Sequence, residues 1–191
     1  AEVKAACDAD KRAEIESDRM PIQPPRVMAE IARRLGAEDI VVSDASFSAG
    51  WISGYIPAKR AGRQFLFARG QGGLGYSVPA AIGAAAVRPD ARIVTVAGDG
   101  AFSYTVGELA TQAQYGQRIV NVVINNGKLG WIQLWQELYF NNVQSAVLET
   151  QSVKPGYAGA AAALGLLGIY VETPDEIGPA LDRAFAHGFD R

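Results

Sequence analysis

The sequence predicts an α/β fold: a doubly wound, mostly parallel sheet with helices on both faces. Three observations carry that prediction. Continuous apolar runs, Ile93-Val94-Thr95-Val96-Ala97 and Ile119-Val120-Asn121-Val122-Val123-Ile124, are what strands covered on both faces require. Segments of helical spacing alternate with such runs along the chain, as strand–helix–strand units demand. Glycine-, Asp- or Asn-bearing turns follow several of the runs, where an open α/β sheet binds its ligands.

Residues 1–25 read as a charged arm and Pro-rich linker, because Ala1 to Arg19 alternates charge with Ala and Met20-Pro21-Ile22-Gln23-Pro24-Pro25 carries three prolines. A domain is expected over 26–191. Pro25 suits a first helical position, and Val27, Met28, Ile31 and Leu35 share one face before Gly36 stops the helix. Ile40-Val41-Val42 reads as a short buried strand and Phe65-Leu66-Phe67 as another. An Ala-rich helix follows over Val78 to Val87, then the strand from Ile93, a helix over Val106 to Tyr115, and the strand from Ile119. The flanks of Gly130 favour a further helix, and Pro174 to His187 reads as the last. Capping boxes at Thr105 with Glu108 and Thr173 with Glu176 mark two helix starts. Ala160 to Ala163 reads as helix surface and packing.

Composition narrows the function. The 191 residues are 49% hydrophobic, enough for a full core, and 18 basic against 20 acidic side chains leave no basic footprint for nucleic acid or an anionic membrane surface. One Cys, Cys7, cannot form an internal disulfide, and one His, His187, removes multi-histidine metal sites. Both read as structural or surface residues, and Lys4, Lys11 and Arg12 as a solvated charged face. No apolar run approaches the ~20 residues of a membrane span, and Glu2 to Arg19 is too charged for a signal peptide. A cytoplasmic protein is expected. The chain starts at Ala1 without Met and stops just after a helix, so a fragment of a longer enzyme is the expectation.

Three strand ends converge on one chemistry. Gly98-Asp99-Gly100-Ala101 follows the strand from Ile93. A carboxylate between glycines there can hold a cation while nearby N–H groups face an anion, or the Asp can simply cap a helix. Asn125-Asn126-Gly127-Lys128 follows the strand from Ile119, with Asn126 27 residues beyond Asp99. One crossover of that length sets two consecutive carboxyl ends side by side. Asp99, the Asn126 amide oxygen and a backbone carbonyl can then share Mg²⁺, which favours such hard oxygens. The alternative is an Asn-Gly hairpin. Gly70-Gln71-Gly72-Gly73-Leu74-Gly75 matches G-x-G-x-x-G, and Asp99 falls 24 residues beyond Gly75, so a dinucleotide site is the competing reading.

Together these residues resemble a known family. Gly98-Asp99-Gly100 followed by Asn125-Asn126 resembles the thiamine diphosphate motif. Gly72-Gly73-Leu74-Gly75-Tyr76-Ser77-Val78-Pro79 resembles the cofactor-facing segment of 2-oxoacid decarboxylases and acetolactate synthases. The resemblance runs from about Ser43 to Arg183 and implies the C-terminal, diphosphate-binding domain of such an enzyme. It implies that Asp99, Asn126 and the Lys128 carbonyl ligate Mg²⁺, and that Gly98, Gly100, Ala101, Leu129 and Gly130 surround the diphosphate. Leu74 falls where a bulky aliphatic bends the cofactor under its thiazolium, and Gly72 where a carbonyl receives the aminopyrimidine. Ser46, Phe47 and Ser48 occupy a further diphosphate-contacting loop, where acetolactate synthases usually carry Gly-Gln-His; either Ser could instead cap the next helix. Trp131 and Trp135 lie in a segment resembling the acceptor pocket of acetolactate synthases, although tryptophans at helical spacing also suit a core.

The implied activity is decarboxylation of a 2-oxoacid such as pyruvate with acyl transfer to an acceptor, acetolactate synthase-like. An aryl or aliphatic 2-oxoacid decarboxylase of the benzoylformate type is the alternative. From other classes come an NAD-binding Rossmann domain and an assembly module without catalysis. The resemblance also implies partners: an N-terminal pyrimidine-binding domain across a subunit contact, a homodimer or homotetramer, and possible FAD in the full protein. The Glu that bonds the aminopyrimidine is expected from that other domain. Glu108, Glu137 and Glu149 lack its context, so no catalytic residue is expected in this chain and the fragment alone is expected to be inactive.

Overall fold

The computed structural model describes residues 11–142, 145–148, 154 and 156–187. Its centre is a four-stranded, fully parallel sheet of β1 (Ile40–Ser43), β2 (Phe65–Phe67), β3 (Ile93–Gly98) and β4 (Ile119–Ile124), in the order β2-β1-β3-β4. Ile40 pairs with Ile93 and Ile93 with Ile119, so the carboxyl ends of β1, β3 and β4 finish on one edge of the fold. The order reverses between β1 and β3, which places the ligand crevice of a doubly wound sheet beside those two ends.

From residue 24 onward, the helices among the described residues are α1 (Pro24–Arg34), α2 (Phe47–Tyr55), α3 (Ser77–Val87), α4 (Asp99–Ser103), α5 (Glu108–Gln114), α6 (Gly130–Phe140), α7 (Gly156–Ala163) and α8 (Pro174–His187). Side chains alternating along the strands feed two layers. Val41, Val94 and Val96 pack with Met28 and Ile31 of α1, Ile52 of α2 and Leu181 of α8. Ile40, Val42 and Ile93 pack on the other face with Ala81 and Ala85 of α3. Small residues on α3 let it lie close to the sheet. Each fully buried Val or Ile in β3 contributes roughly 1.5–3 kcal/mol, which makes this strand the anchor of the carboxyl-end turns.

Three polar side chains of that interior are joined in series. Thr95 Oγ1 donates to Asn121 Oδ1 at 2.8 Å, Asn121 Nδ2 donates to Gln112 Oε1 at 2.7 Å, and Gln112 Nε2 donates to the Ile119 carbonyl at 2.8 Å. This chain ties β3, β4 and α5 together below the strand ends. On the opposite face, Arg34 bridges Glu30 in its own helix and Asp182 of α8.

Two local expectations are revised. The helix expected over Val106 to Tyr115 is α5, shortened to Glu108–Gln114, and a separate helix α4 precedes it, starting at Asp99 itself. The capping box at Thr105 does not form: α5 is preceded by Gly107 in helical conformation, the Glu108 N–H finds the Thr105 carbonyl, and the Thr105 hydroxyl is buried without a partner. A helical turn already occupies the position where a box needs extended backbone. At Thr173 the Glu176 carboxylate does receive the Thr173 N–H at 3.1 Å, and α8 begins at Pro174.

The arm and the helix behind it meet at a different residue from the one expected. α1 begins at Pro24, and Ile22 packs partly against the core.

Candidate functional site

The site is built from the turns that leave β1, β3 and β4. Gly98 ends β3 and Asp99 opens α4, where the side chain is 2% exposed. Its Oδ1 accepts the Gly100 N–H at 2.9 Å and its Oδ2 the Gly127 N–H at 2.7 Å. The second bond crosses from β3 to β4 and sets the Asn126–Lys128 turn against the carboxylate. Burial pushes the Asp99 carboxyl above the usual carboxylate range, and the backbone N–H groups offset this only in part. A buried anion met only by neutral donors is suited to a cation.

Asn126 and Lys128 are exposed, and Asn126 Oδ1 accepts the Lys128 N–H at 3.1 Å in an Asx turn, with Gly127 at φ +65° supplying the left-handed step. The hairpin alternative is excluded, because α6 begins at Gly130. Instead Lys128 forms an isolated antiparallel bridge with Val147, and the Leu129 N–H donates to the Ala146 carbonyl at 2.7 Å. Leu129 is the residue before α6, and its side chain lies over Gly100, where a Cβ would come within 2.5 Å of Leu129 Cδ2. Ala101 is buried behind Gly100. Of the amides considered for an anion, that of Gly100 is already shared with Asp99, whereas those of Ala101 and Gly130 lie at the starts of α4 and α6.

The β1 turn joins from the other side. Ser46 precedes α2 at φ +76° and makes no side-chain cap; Phe47 is half-buried and Ser48 buried. Ser46 therefore does not cap α2 through its side chain, and Ser48 lies within the helix, past the cap position. A Cβ on Gly130 would touch both the Phe47 ring and Asn126 Nδ2 at 3.6 Å, so the β1 and β4 turns meet there. The Phe47 ring stacks on Trp51 and meets Trp131 edge-on at 4.9 Å, and the series continues through Trp135 to Tyr139. Trp131 and Trp135 are each 41% exposed and α6 buries no residue, so these tryptophans are surface groups rather than core.

The loop between β2 and α3 brings Gly72 and Leu74. Gly72 and Gly73 have open space where a Cβ would stand, and Leu74 is 41% exposed. The loop is exposed on this side, with the Leu74 side chain beside the two glycines. Gly75 closes the loop at φ +82°, and a Cβ there would lie 2.9 Å from Tyr104 Cβ and Thr105 Cγ2.

Sequence reasoning missed two residues. Asp44 is fully buried after β1, and its carboxylate accepts the N–H groups of Ala45, Gly75 and Ser77 at 2.9, 3.1 and 2.9 Å. The signal was available, since it is an acid directly after a strand, like Asp99. Tyr157 of α7 donates its hydroxyl to the Asp99 carbonyl at 2.8 Å, and burial followed by the nearby Asp99 charge pushes its phenol up to about 12. No local pattern announces that contact.

Residues 44–189 match the family described as thiamine pyrophosphate enzyme, C-terminal TPP binding domain. The chain belongs to that family. Thiamine pyrophosphate is thiamine diphosphate, and the matched span takes in every turn described above. Relatives of this TPP-binding domain include the acetolactate synthase large subunit of Lactococcus lactis, 33% identical over 153 residues, covering 80% of this chain and 26% of the relative. A probable acetolactate synthase large subunit of Methanococcus aeolicus is 29% identical over 172 residues, covering 87% of this chain and 28% of the relative. The chain thus spans little more than a quarter of those proteins. Benzoylformate decarboxylase from Polynucleobacter necessarius superposes with a TM-score of 0.79 at 25% identity, covering 91% of this chain and 33% of that one. The 4-hydroxybenzoylformate decarboxylase of Rhodococcus jostii RHA1 shares the fold, with a TM-score of 0.80 at 23% identity over 90% of this chain and 32% of that one.

Among the described residues no helix of this TPP-binding domain is long and apolar enough to cross a membrane, and no three His, Cys, Asp or Glu side chains cluster as a metal site.

Proposed function

We propose that this domain holds the Mg²⁺-diphosphate end of thiamine diphosphate in a 2-oxoacid decarboxylase or carboligase of acetolactate synthase type. One observation carries the reading: the buried Asp99 carboxylate is tied to the Asn126–Lys128 turn through the Gly127 N–H. Asp99, the Asn126 amide oxygen and the Lys128 carbonyl would hold Mg²⁺, a set of hard oxygens suited to that ion. The N–H groups of Ala101 and Gly130, with Gly100 shared with Asp99, would receive diphosphate oxygens at helix starts where positive dipole ends favour anions. Ser46, Phe47 and Ser48 would close this pocket from β1. Leu74 would support the thiazolium, the Gly72 carbonyl would receive the aminopyrimidine, and Trp131 and Trp135 would border the acceptor. When bound, the cofactor supplies the electron sink for decarboxylation, and the protein supplies position and electrostatics.

The reading keeps 26–191 as the cofactor domain behind an arm of 1–25. It assigns the proton-relaying Glu to a pyrimidine-binding domain across a subunit contact, in a homodimer or homotetramer, so the chain alone is inactive; FAD would bind elsewhere in the full protein. An aryl 2-oxoacid decarboxylase is the second reading, favoured by the Phe47–Trp131–Trp135 rings and the benzoylformate decarboxylase likeness. The nicotinamide alternative has less support, because the Asp99 carboxylate that a ribose would need is engaged toward β4.

Calorimetric titration of the full-length protein with thiamine diphosphate and with inorganic pyrophosphate, each with and without Mg²⁺, tests the proposal. Binding should require Mg²⁺ and be lost in Asp99→Ala. NADH binding with no Mg²⁺ effect would overturn it, as would thiamine diphosphate binding that ignores both metal and mutation.

A further inference from the structure

Asp44 is a buried carboxylate that none of the assignments above uses. It is fully inaccessible, and the groups bonded to it are backbone N–H donors: its neighbour Ala45 and, from 31 and 33 residues away, Gly75 and Ser77. An ionised carboxylate in a protein interior is costly unless its oxygens are fully bonded, and three amide donors serve that purpose here. An apolar side chain here would leave those three N–H groups without an acceptor. The carboxylate is placed where it bonds two loops at once.

Those loops are the one that follows β1 and the one that joins β2 to α3. The Asp44 N–H itself donates to the Val96 carbonyl at 2.9 Å, which fixes the end of β1 to β3 independently of the side chain. From that fixed point the chain runs directly into Ser46–Ser48. The side chain reaches across to the other loop, where 70–74 is exposed and irregular. Among the described residues, the hydrogen bonds tying 70–77 to other elements are the two to Asp44, at Gly75 and Ser77. On its far side Gly75 is pressed against Tyr104 and Thr105. Leu74 and Gly72 therefore hang from a joint whose polar half is Asp44.

We infer that Asp44 is a positioning residue that sets Leu74 and the Gly72 carbonyl against the bound cofactor, acting through the Gly75 and Ser77 amides rather than by touching the cofactor. The inference rests on the thiamine diphosphate reading above. It separates the two ends of the ligand: the diphosphate end depends on Asp99, Asn126 and the starts of α4 and α6, and the ring end depends on the loop that Asp44 holds.

The test uses the full-length enzyme and Asp44→Asn, which keeps the size of the side chain and removes one acceptor. Titrations with thiamine diphosphate and with inorganic pyrophosphate, both in Mg²⁺, give the two affinities. Thiamine diphosphate should weaken at least tenfold while pyrophosphate stays within twofold. Equal weakening of both ligands would mark Asp44 as a general structural residue and overturn the inference, as would no change in either. Failure of the wild-type enzyme to bind thiamine diphosphate would instead sink the cofactor reading itself. A second measurement needs no variant: amide exchange in the wild-type enzyme should protect Gly75 and Ser77 to the level of β3. Exchange there at the rate of the exposed 70–74 loop would equally overturn the role.

Discussion

Replacing Gly75 by Ala should destabilise the protein by about 2–4 kcal/mol, and the structure supplies each contribution. The residue sits at φ +82°, a left-handed conformation that costs an L-residue roughly 1–2 kcal/mol. The new methyl would lie 2.9 Å from both Tyr104 Cβ and Thr105 Cγ2, and relieving such overpacking costs about 1–3 kcal/mol. Because Tyr104 Cβ is bonded directly to backbone, the strain cannot be shed by swinging a flexible side-chain end. Against this stands the smaller entropy of the unfolded chain with Ala, about 0.4–1 kcal/mol. For a protein of this size the net effect corresponds to a fall in melting temperature of roughly 4–16 °C. Gly73→Ala is the control: its Cβ meets open space at an ordinary φ, so stability should move by no more than ~0.5 kcal/mol. Urea unfolding followed by far-ultraviolet circular dichroism reads both. A loss below 1 kcal/mol for Gly75→Ala, or equal losses for the two variants, would refute the close approach of this loop to the Tyr104–Thr105 turn.

Asn121→Ala should cost about 2–4 kcal/mol in the same unfolding assay, since it strips partners from buried Thr95 and Gln112, while leaving thiamine diphosphate affinity unchanged. Tyr157→Phe addresses alkaline stability. A phenol whose folded pKa lies near 12 against 10.0 contributes stability that is present below pH 10 and is lost as pH rises toward 12, so the wild type should lose stability across that window and the variant should lose less, the part that remains coming from Tyr55, whose phenol is also pushed up to about 12. A pH series of urea midpoints checks the sign. Trp135→Ala removes an exposed ring and should leave the unfolding midpoint within the error of the wild type, with any effect confined to the acceptor step of turnover.

The strands were legible because β3 and β4 are continuous apolar runs, a pattern that a sheet buried on both faces imposes directly on sequence. Asp99 and Asn126 were legible because each follows such a run, and one crossover between them fixes the distance in space. The same logic overlooked Asp44, whose donors Gly75 and Ser77 lie far along the chain and whose own turn lacks flanking glycines. At Thr105 the residue types of a capping box were present, yet the backbone before Glu108 was already helical, which side-chain identity alone does not encode. The aromatic series was half visible: Trp131, Trp135 and Tyr139 recur at helical spacing, but only tertiary placement of α2 adds Phe47 and Trp51 to them.

That series has a spectroscopic consequence. Trp51, Trp131 and Trp135 are the three tryptophans of the sequence, and all of them belong to one run of rings on the surface shared by α2 and α6. Trp51 also packs partly against the core formed by α1 and β3. Indole emission from this domain should therefore respond to anything that covers or solvates the rings beside Gly130 and, through Trp51, to loosening of that core. Replacing Trp51 or Trp135 by Phe separates the two sources.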